Sequence, residues 1–334
     1  MKVEAKYYKK LPENKVLCEL CNNFCVIEEN QRGKCNVRMN IEGTLYTLVY
    51  GKLTAMAIDP IEKKPLYHFL PGTETFSIST VGCNFKCLHC QNWEISQAKE
   101  VFGKDVSPEE VVREAIDYAC RSISYTYNEP TVFLEFALDV AKLSRQNGLK
   151  NVFVTNGYMS EKALKDILKF IDAYNIDLKA FNDEFYQKVC GVSSFKPVVE
   201  NIKRIFKAKR HLEITFLVIP GFNDDVDEFK EMVAFISSLS PKIPLHITAF
   251  HPDYLMQDVP PTRRETLLEF GKLAKKELDF VYLGNVAVDE EWYNTYCPNC
   301  GELIIKRGFM NTLEIRSKDG LCPKCGEDIN LVLE

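Results

Sequence analysis

The sequence predicts an α/β protein built on a partial or full (β/α) TIM-like barrel, with a cysteine-bearing N-terminal extension and a cysteine-paired C-terminal module. Three observations predict it. From about residue 75, β-branched runs alternate with segments of 3.6-residue periodicity, the pattern of parallel strands joined by helical crossovers. Nearly every unusual polar residue falls just after one of those runs. The rhythm stops at both ends of the chain, where cysteines cluster instead. At 334 residues the chain has room for one large domain with small appendages, and the boundaries fall at 1–72, 73–290 and 291–334.

Taken in order, MKVEAKYYKKLPENKV is basic but runs into CELCNNFC instead of an apolar stretch, so it does not read as a secretory signal. TLYTLVYGKLTAMAI reads as a strand pair, and DPIEKKPLYHFLPG is rich in turn formers. The barrel strands are TFSIST, SISYTY, NVFVT, AYNIDL, LEITFLVI, LHITAF and FVYLGNV. Ser107, Pro108 and Glu110 form a capping box with proline in the first turn, opening a helix to about Ala119. Ser160 caps another, in which Ala163, Leu164, Ile167, Leu168 and Ile171 share one face. Phe229, Met232, Val233, Ile236 and Leu239 repeat the arrangement. An open doubly wound sheet has the same local pattern. In either case parallel strands deliver their C-terminal ends to one rim. Cys83, Glu129, Asn156, Asp177, Lys179 and His251 should therefore converge there, and the rim is the expected active site.

A formal charge of −5 with 27% charged residues gives no global pull toward nucleic acid or an anionic membrane. No apolar run approaches the roughly 20 residues that span a bilayer. The expected setting is cytoplasmic, and there 13 cysteines are metal ligands before they are disulfides. They sort into Cys18, Cys21, Cys25 and Cys35; Cys83, Cys87 and Cys90; and Cys297, Cys300, Cys322 and Cys325. Cys120 and Cys190 stand alone and read as small buried hydrophobes.

In GCNFKCLHC the spacing is C-x3-C-x2-C on one loop after a strand. A cubane has four irons, so three thiolates leave one iron without a protein ligand. The amino and carboxylate groups of S-adenosylmethionine can chelate that iron; the bland alternative is a three-cysteine zinc site. CPNCG and CPKCG have the paired-knuckle spacing of a zinc ribbon or rubredoxin-like site, with zinc favoured over iron. Five basic and six acidic residues from Thr295 to Glu334 favour a structural or protein-docking role over nucleic-acid binding. The N-terminal C-x2-C-x3-C-x9-C matches no single metal, so zinc and an auxiliary iron-sulfur cluster are both open.

The stretches CELCNNFC with GKCNVR, DPIEKKPLYHFLPGT, STVGCNFKCLHCQNW, SYTYNEPT, VTNGY, IDLKAF, LVIPGFND and FHPDYLM cover nearly the whole chain. Together they resemble the radical S-adenosylmethionine superfamily, and within it the AmmeMemoRadiSam-type enzymes, similar to pyruvate formate-lyase activating enzymes. The resemblance implies a [4Fe-4S] cluster on Cys83, Cys87 and Cys90. It implies that Glu129 accepts from the cofactor's ammonium, that Lys179 pairs with its carboxylate, and that His89 borders the adenine in place of an aromatic ring. Asp177 and Thr155 match a monovalent-cation site of which another aspartate is Val154 here. Asn156 and His251 match cofactor-contacting positions. The implied reaction is reductive cleavage of S-adenosylmethionine to a 5′-deoxyadenosyl radical that abstracts hydrogen, with a ferredoxin or flavodoxin as one-electron reductant and a protein or other macromolecule as substrate. The alternatives are activation of a glycyl-radical enzyme, modification of RNA, or a non-catalytic iron-sulfur electron carrier.

Overall fold

The structure is a computed structural model that describes residues 2–308 and 310–334. Its centre is a sheet made of β1 (Ala55–Pro60), β2 (Glu74–Ser79), β3 (Ser122–Tyr125), β4 (Lys150–Thr155), β5 (Ala173–Asp177), β6 (His211–Val218), β7 (Leu245–Ala249) and β8 (Val281–Gly284). The strands lie in sequence order, β2 through β8 are parallel, and β1 pairs antiparallel with β2. The edge strands β1 and β8 do not pair with each other. The barrel is therefore partial, and the full closure that the periodicity also allowed is not formed. The strand pair expected within residues 44–58 is corrected as well. Thr44–Thr47 joins a small sheet with Arg38–Ile41 and Val3–Glu4, whereas β1 enters the central sheet, which thus reaches back past residue 72.

Helices α1 (Pro108–Asp117), α2 (Leu134–Gln146), α3 (Glu161–Ile167), α4 (Asp183–Lys188), α5 (Lys196–Lys207), α6 (Val226–Leu239) and α7 (Arg264–Ala274) connect the parallel strands. Their apolar stripes bury on the sheet: Val111, Val112 and Ala115 from α1, and Phe229, Met232, Val233 and Ile236 from α6. The predicted capping box is present. Ser107 Oγ accepts from the Glu110 amide at 3.2 Å and Glu110 Oε2 from the Ser107 amide at 2.7 Å. Replacing Ser107 with alanine should cost about 1 kcal/mol, visible as a lower denaturation midpoint and faster hydrogen exchange at the Glu110 amide.

The C-terminal residues pack on the barrel instead of standing apart. Thr295–Tyr296, Leu303–Gly308 and Asn311–Ile315 form an antiparallel sheet, and Ile304, Ile305 and Ile329 bury against Phe280 and Tyr282 of the barrel. Below them lies a polar network. Glu213 on β6, fully buried, accepts from the Tyr67 and His68 amides at 3.0 and 2.7 Å and meets His211 Nε2 at 2.9 Å and His246 Nε2 at 2.6 Å. His68 in turn donates from Nδ1 to the Ile329 carbonyl at 2.9 Å, leaving Nε2 to accept from the Tyr282 hydroxyl at 2.6 Å.

That arrangement fits a neutral imidazole, and burial lowers the His68 pKa to about 3. The unfolded chain takes up a proton near pH 6.5 where the folded chain does not, so stability falls as pH drops below the unfolded value. Between about pH 6.5 and 4.5 this one group should cost on the order of 1 kcal/mol per pH unit. Denaturation midpoints across that window should slope accordingly, and the slope should flatten in His68→Phe.

Candidate active site

Each residue expected at the rim lies at or just beyond the C-terminal end of a parallel strand: Cys83 after β2, Glu129 after β3, Asn156 after β4, Asp177 and Lys179 at β5, His251 after β7. Contacts tie most of them together. Glu129 Oε1 accepts from the Thr131 amide at 3.0 Å, the Thr131 hydroxyl at 2.5 Å and the Thr155 hydroxyl at 2.7 Å, and Oε2 from the Asn156 amide at 2.8 Å. Glu129 also caps the 3-10 turn Pro130–Phe133. Burial pushes its carboxyl up, and these donors oppose the shift. Oε2, with one partner, retains accepting capacity. Asn156 Nδ2 donates to Asn84 Oδ1 at 2.7 Å, and Asn84 adjoins Cys83.

On the other side, Lys179 Nζ lies 2.9 Å from Asp177 Oδ2. Burial alone would lower the lysine, but Asp177 and the neighbouring Cys87 and Cys190 hold it well above its ordinary value. The Cys83 and Cys90 thiols are raised by burial, and Cys87 by a hydrogen bond with Cys190 and then by burial. Metal binding would displace these protons. His89 is buried 6.3 Å from the Phe185 ring centroid, its pKa lowered to about 3 by burial and then by Lys179.

The donor set fits a cluster with a nucleotide beside it. Three cysteines on one loop would supply thiolates, while His89 Nδ1 is a buried polar atom with no partner. Such an atom asks for a ligand. Beyond the loop, a cavity of about 650 Å3 opens between β8 and the residues after β1, and it is lined by Gln91, His246, His251, Tyr282 and Asn285. His251 Nε2 meets the Asn285 carbonyl at 3.0 Å on this exposed side. It shares the cavity with Gln91, next to Cys90, rather than the Glu129 and Asn156 cluster.

Three features escaped the sequence reading. Cys190 does not stand alone, since its carbonyl accepts from the Lys86 amide at 2.8 Å beside Cys87, whose thiol pKa it raises. Asn84 links Asn156 to the cysteine loop. His246, held by Glu213, reaches the large cavity. A lone cysteine, a loop asparagine and a strand histidine carry no local signal of such partners.

At the C-terminal end, Cys297, Cys300, Cys322 and Cys325 bring their sulfurs within 4.8 Å of one another. The two knuckles are alike: each first cysteine accepts from a glycine amide at 2.9 Å, Gly301 or Gly326, with φ of +71° and +78°. Glycine takes that left-handed conformation without penalty.

The sequence pattern of the Radical SAM superfamily matches residues 77–236. The chain is 47% identical over 99% of both lengths to an uncharacterized protein of Methanocaldococcus jannaschii. This protein belongs to the radical SAM superfamily and is an enzyme of that class, with an iron-sulfur cofactor and S-adenosylmethionine. It is similar to the pyruvate formate-lyase 1-activating enzyme of Escherichia coli, 25% identical over 56% of this chain and 82% of that one. It is also similar to the (2S)-3-sulfopropanediol dehydratase activating enzyme of Klebsiella oxytoca, 28% identical over 55% and 59%. Among solved structures, Streptococcus suis SuiB bound to the precursor peptide SuiA superimposes with a TM-score of 0.50 at 15% identity, covering 67% of this chain and 51% of that one. A radical SAM methyltransferase from Sphaerobacter thermophilus gives 0.50 at 13%, covering 64% and 67%. These two likenesses concern the fold. Among the described residues no helix is long and apolar enough to cross a membrane.

Proposed function

We propose that Cys83, Cys87 and Cys90 hold a [4Fe-4S] cluster whose fourth iron binds S-adenosylmethionine, and that the enzyme activates a protein by abstracting hydrogen from it. The observation that carries this reading is the convergence of the cysteine loop, Glu129, Asn156 and the Asp177–Lys179 pair on one rim. When bound, the cluster supplies the electron that splits S-adenosylmethionine into methionine and a 5′-deoxyadenosyl radical. The chain's own residues do the positioning.

Glu129 Oε2 accepts from the cofactor's ammonium, a charge-assisted contact strengthened by burial. Lys179, kept protonated by Asp177, pairs with the carboxylate. The unpartnered His89 Nδ1 offers the adenine a hydrogen bond. Asn156 steadies the loop through Asn84. The C-terminal cysteines hold zinc, which fastens the module against β8. Two relatives named as activating enzymes and a cavity open to solvent on the unpaired side of the sheet support a protein substrate. The electron would come from a ferredoxin or flavodoxin in the cytoplasm.

Anaerobically reconstituted protein, reduced with dithionite, should release 5′-deoxyadenosine and methionine in equal amounts from S-adenosylmethionine. An intact cluster that binds S-adenosylmethionine and releases neither would overturn the proposal.

A further inference from the structure

Outside the active rim, Cys18, Cys21, Cys25 and Cys35 line a small cavity of about 10 Å3 that Arg38 and Asn84 also line. Their spacing separates two kinds of metal site. The C-terminal four close to within 4.8 Å of one another, and among the described residues theirs is the group packed that tightly. Neither any three of the N-terminal four nor Cys83, Cys87 and Cys90 form such a tight group among the described residues. Around a single zinc each sulfur sits about 2.3 Å from the ion, less than a sulfur radius plus a water radius, so no water-sized sphere fits at the centre. Here one does. A cubane holds its cysteine sulfurs apart across a core of four metals.

The lining is built for an anion with acceptor sulfurs. Arg38 is 1% exposed. It donates to the Lys6 carbonyl at 2.8 Å and pairs with Glu135, yet its Nε has no partner, and neither has Asn84 Nδ2. A buried donor without an acceptor costs on the order of 1–3 kcal/mol, a penalty that thiolate or sulfide would remove at both atoms.

The pocket also touches the loop that carries Cys83. Gly82, at φ +95°, has no space for a side chain, because a Cβ there would lie 2.7 Å from the Cys35 carbonyl and 2.6 Å from Val37. Asn23 Nδ2 donates to the Asn84 carbonyl at 2.8 Å. One asparagine therefore stands between the two cysteine groups.

We propose that Cys18, Cys21, Cys25 and Cys35 bind a second [4Fe-4S] cluster, ligated at all four irons by the protein, beside the Cys83–Cys90 loop. With no open iron it takes no substrate, and its chemistry is confined to one-electron transfer or to holding the extension in place. The proposal does not depend on what the central cluster does.

The test is anaerobic reconstitution with ferrous iron and sulfide, followed by iron and zinc analysis and electron paramagnetic resonance of the reduced protein. The full chain should hold about eight irons, and C83A/C87A/C90A about four. In the triple variant the signal should be unmoved by S-adenosylmethionine. C21S/C25S should also keep about four, with a signal that S-adenosylmethionine shifts. A triple variant that holds zinc in place of iron at the N-terminal cysteines would overturn the proposal. So would iron that leaves with C297S/C300S and not with C21S/C25S. Should the variants misfold, the full chain decides: about four irons whose whole signal shifts with S-adenosylmethionine would sink the second cluster and leave the proposed function standing. If instead the only iron survives C83A/C87A/C90A and ignores S-adenosylmethionine, the second cluster holds and the proposed function falls.

Discussion

Cys87→Ala should reduce 5′-deoxyadenosine release to the level of iron-free protein. Two thiolates cannot hold the cubane that three hold with one iron to spare, so the variant loses both the electron source and the binding place for S-adenosylmethionine. The loss should appear as missing iron from the central site and as missing product in a single-turnover assay. Cys190→Ala is the informative control. Cys190 lies beside the loop, its carbonyl bonded to the Lys86 amide, but comes about a hundred residues later in the chain and is fully buried. Removing its thiol should leave iron content and product release within a few-fold of the parent. A Cys190→Ala protein without central iron would mean that Cys190 is itself a ligand, and the vacant iron on which the chemistry rests would be lost.

The second large effect is expected at Glu213, far from the rim. Its two oxygens serve four partners, the amides of Tyr67 and His68 and the rings of His211 and His246, the bonds from His68 and His246 being buried and the other two part-buried. Alanine would strand those donors, and at on the order of 1–3 kcal/mol for each buried unsatisfied group the protein should lose at least about 3 kcal/mol. Equilibrium denaturation measures the total, and limited proteolysis around residues 66–70 shows where it falls. The bonds to Glu213 hold its carboxyl well below the usual range against the effect of burial. Its contribution is therefore present above the ordinary carboxylate pKa and is lost as pH falls toward the folded value. Glu213→Ala should lack that acid limb. An unchanged midpoint would show the network to be dispensable.

Much of the fold could be read before it was seen, for local reasons. Period-2 and period-3.6 patterns mark the seven parallel strands and their helices, and Ser107 with Glu110 announces the start of α1 three residues apart. The candidate rim follows from a topological rule: the C-terminal ends of parallel strands share one edge of the sheet whatever their distance in sequence.

What was not legible depends on partners chosen from afar. The segment 44–58 looks like a hairpin because two β-rich runs flank Gly51, but one run pairs with Arg38–Ile41 and the other with Glu74–Ser79. Nothing local selects between these. Whether the sheet closes depends on the approach of its two edges, Ala55–Pro60 and Val281–Gly284, more than two hundred residues apart. Glu213 and His246 sit in alternating strands where a polar residue reads as solvent-facing, and only the packing of residues 66–70 and of the C-terminal module turns that face inward. Cys190 lacks any cysteine neighbour in sequence, so its proximity to Cys87 has no trace in the spacing.

The last residues are stitched to an early segment: Val332 exchanges amide bonds with His68 and Leu70 at 2.8 and 2.7 Å, and His68 reaches Ile329. During synthesis, which proceeds from the N-terminus, His68 and Phe69 would wait for some 260 residues before their cover emerges from the ribosome. Until then an apolar surface is open to other chains. Production of this protein should thus suffer most from premature termination near the end, yielding nascent products prone to capture by chaperones or to aggregation, although nearly all of the barrel has already been made.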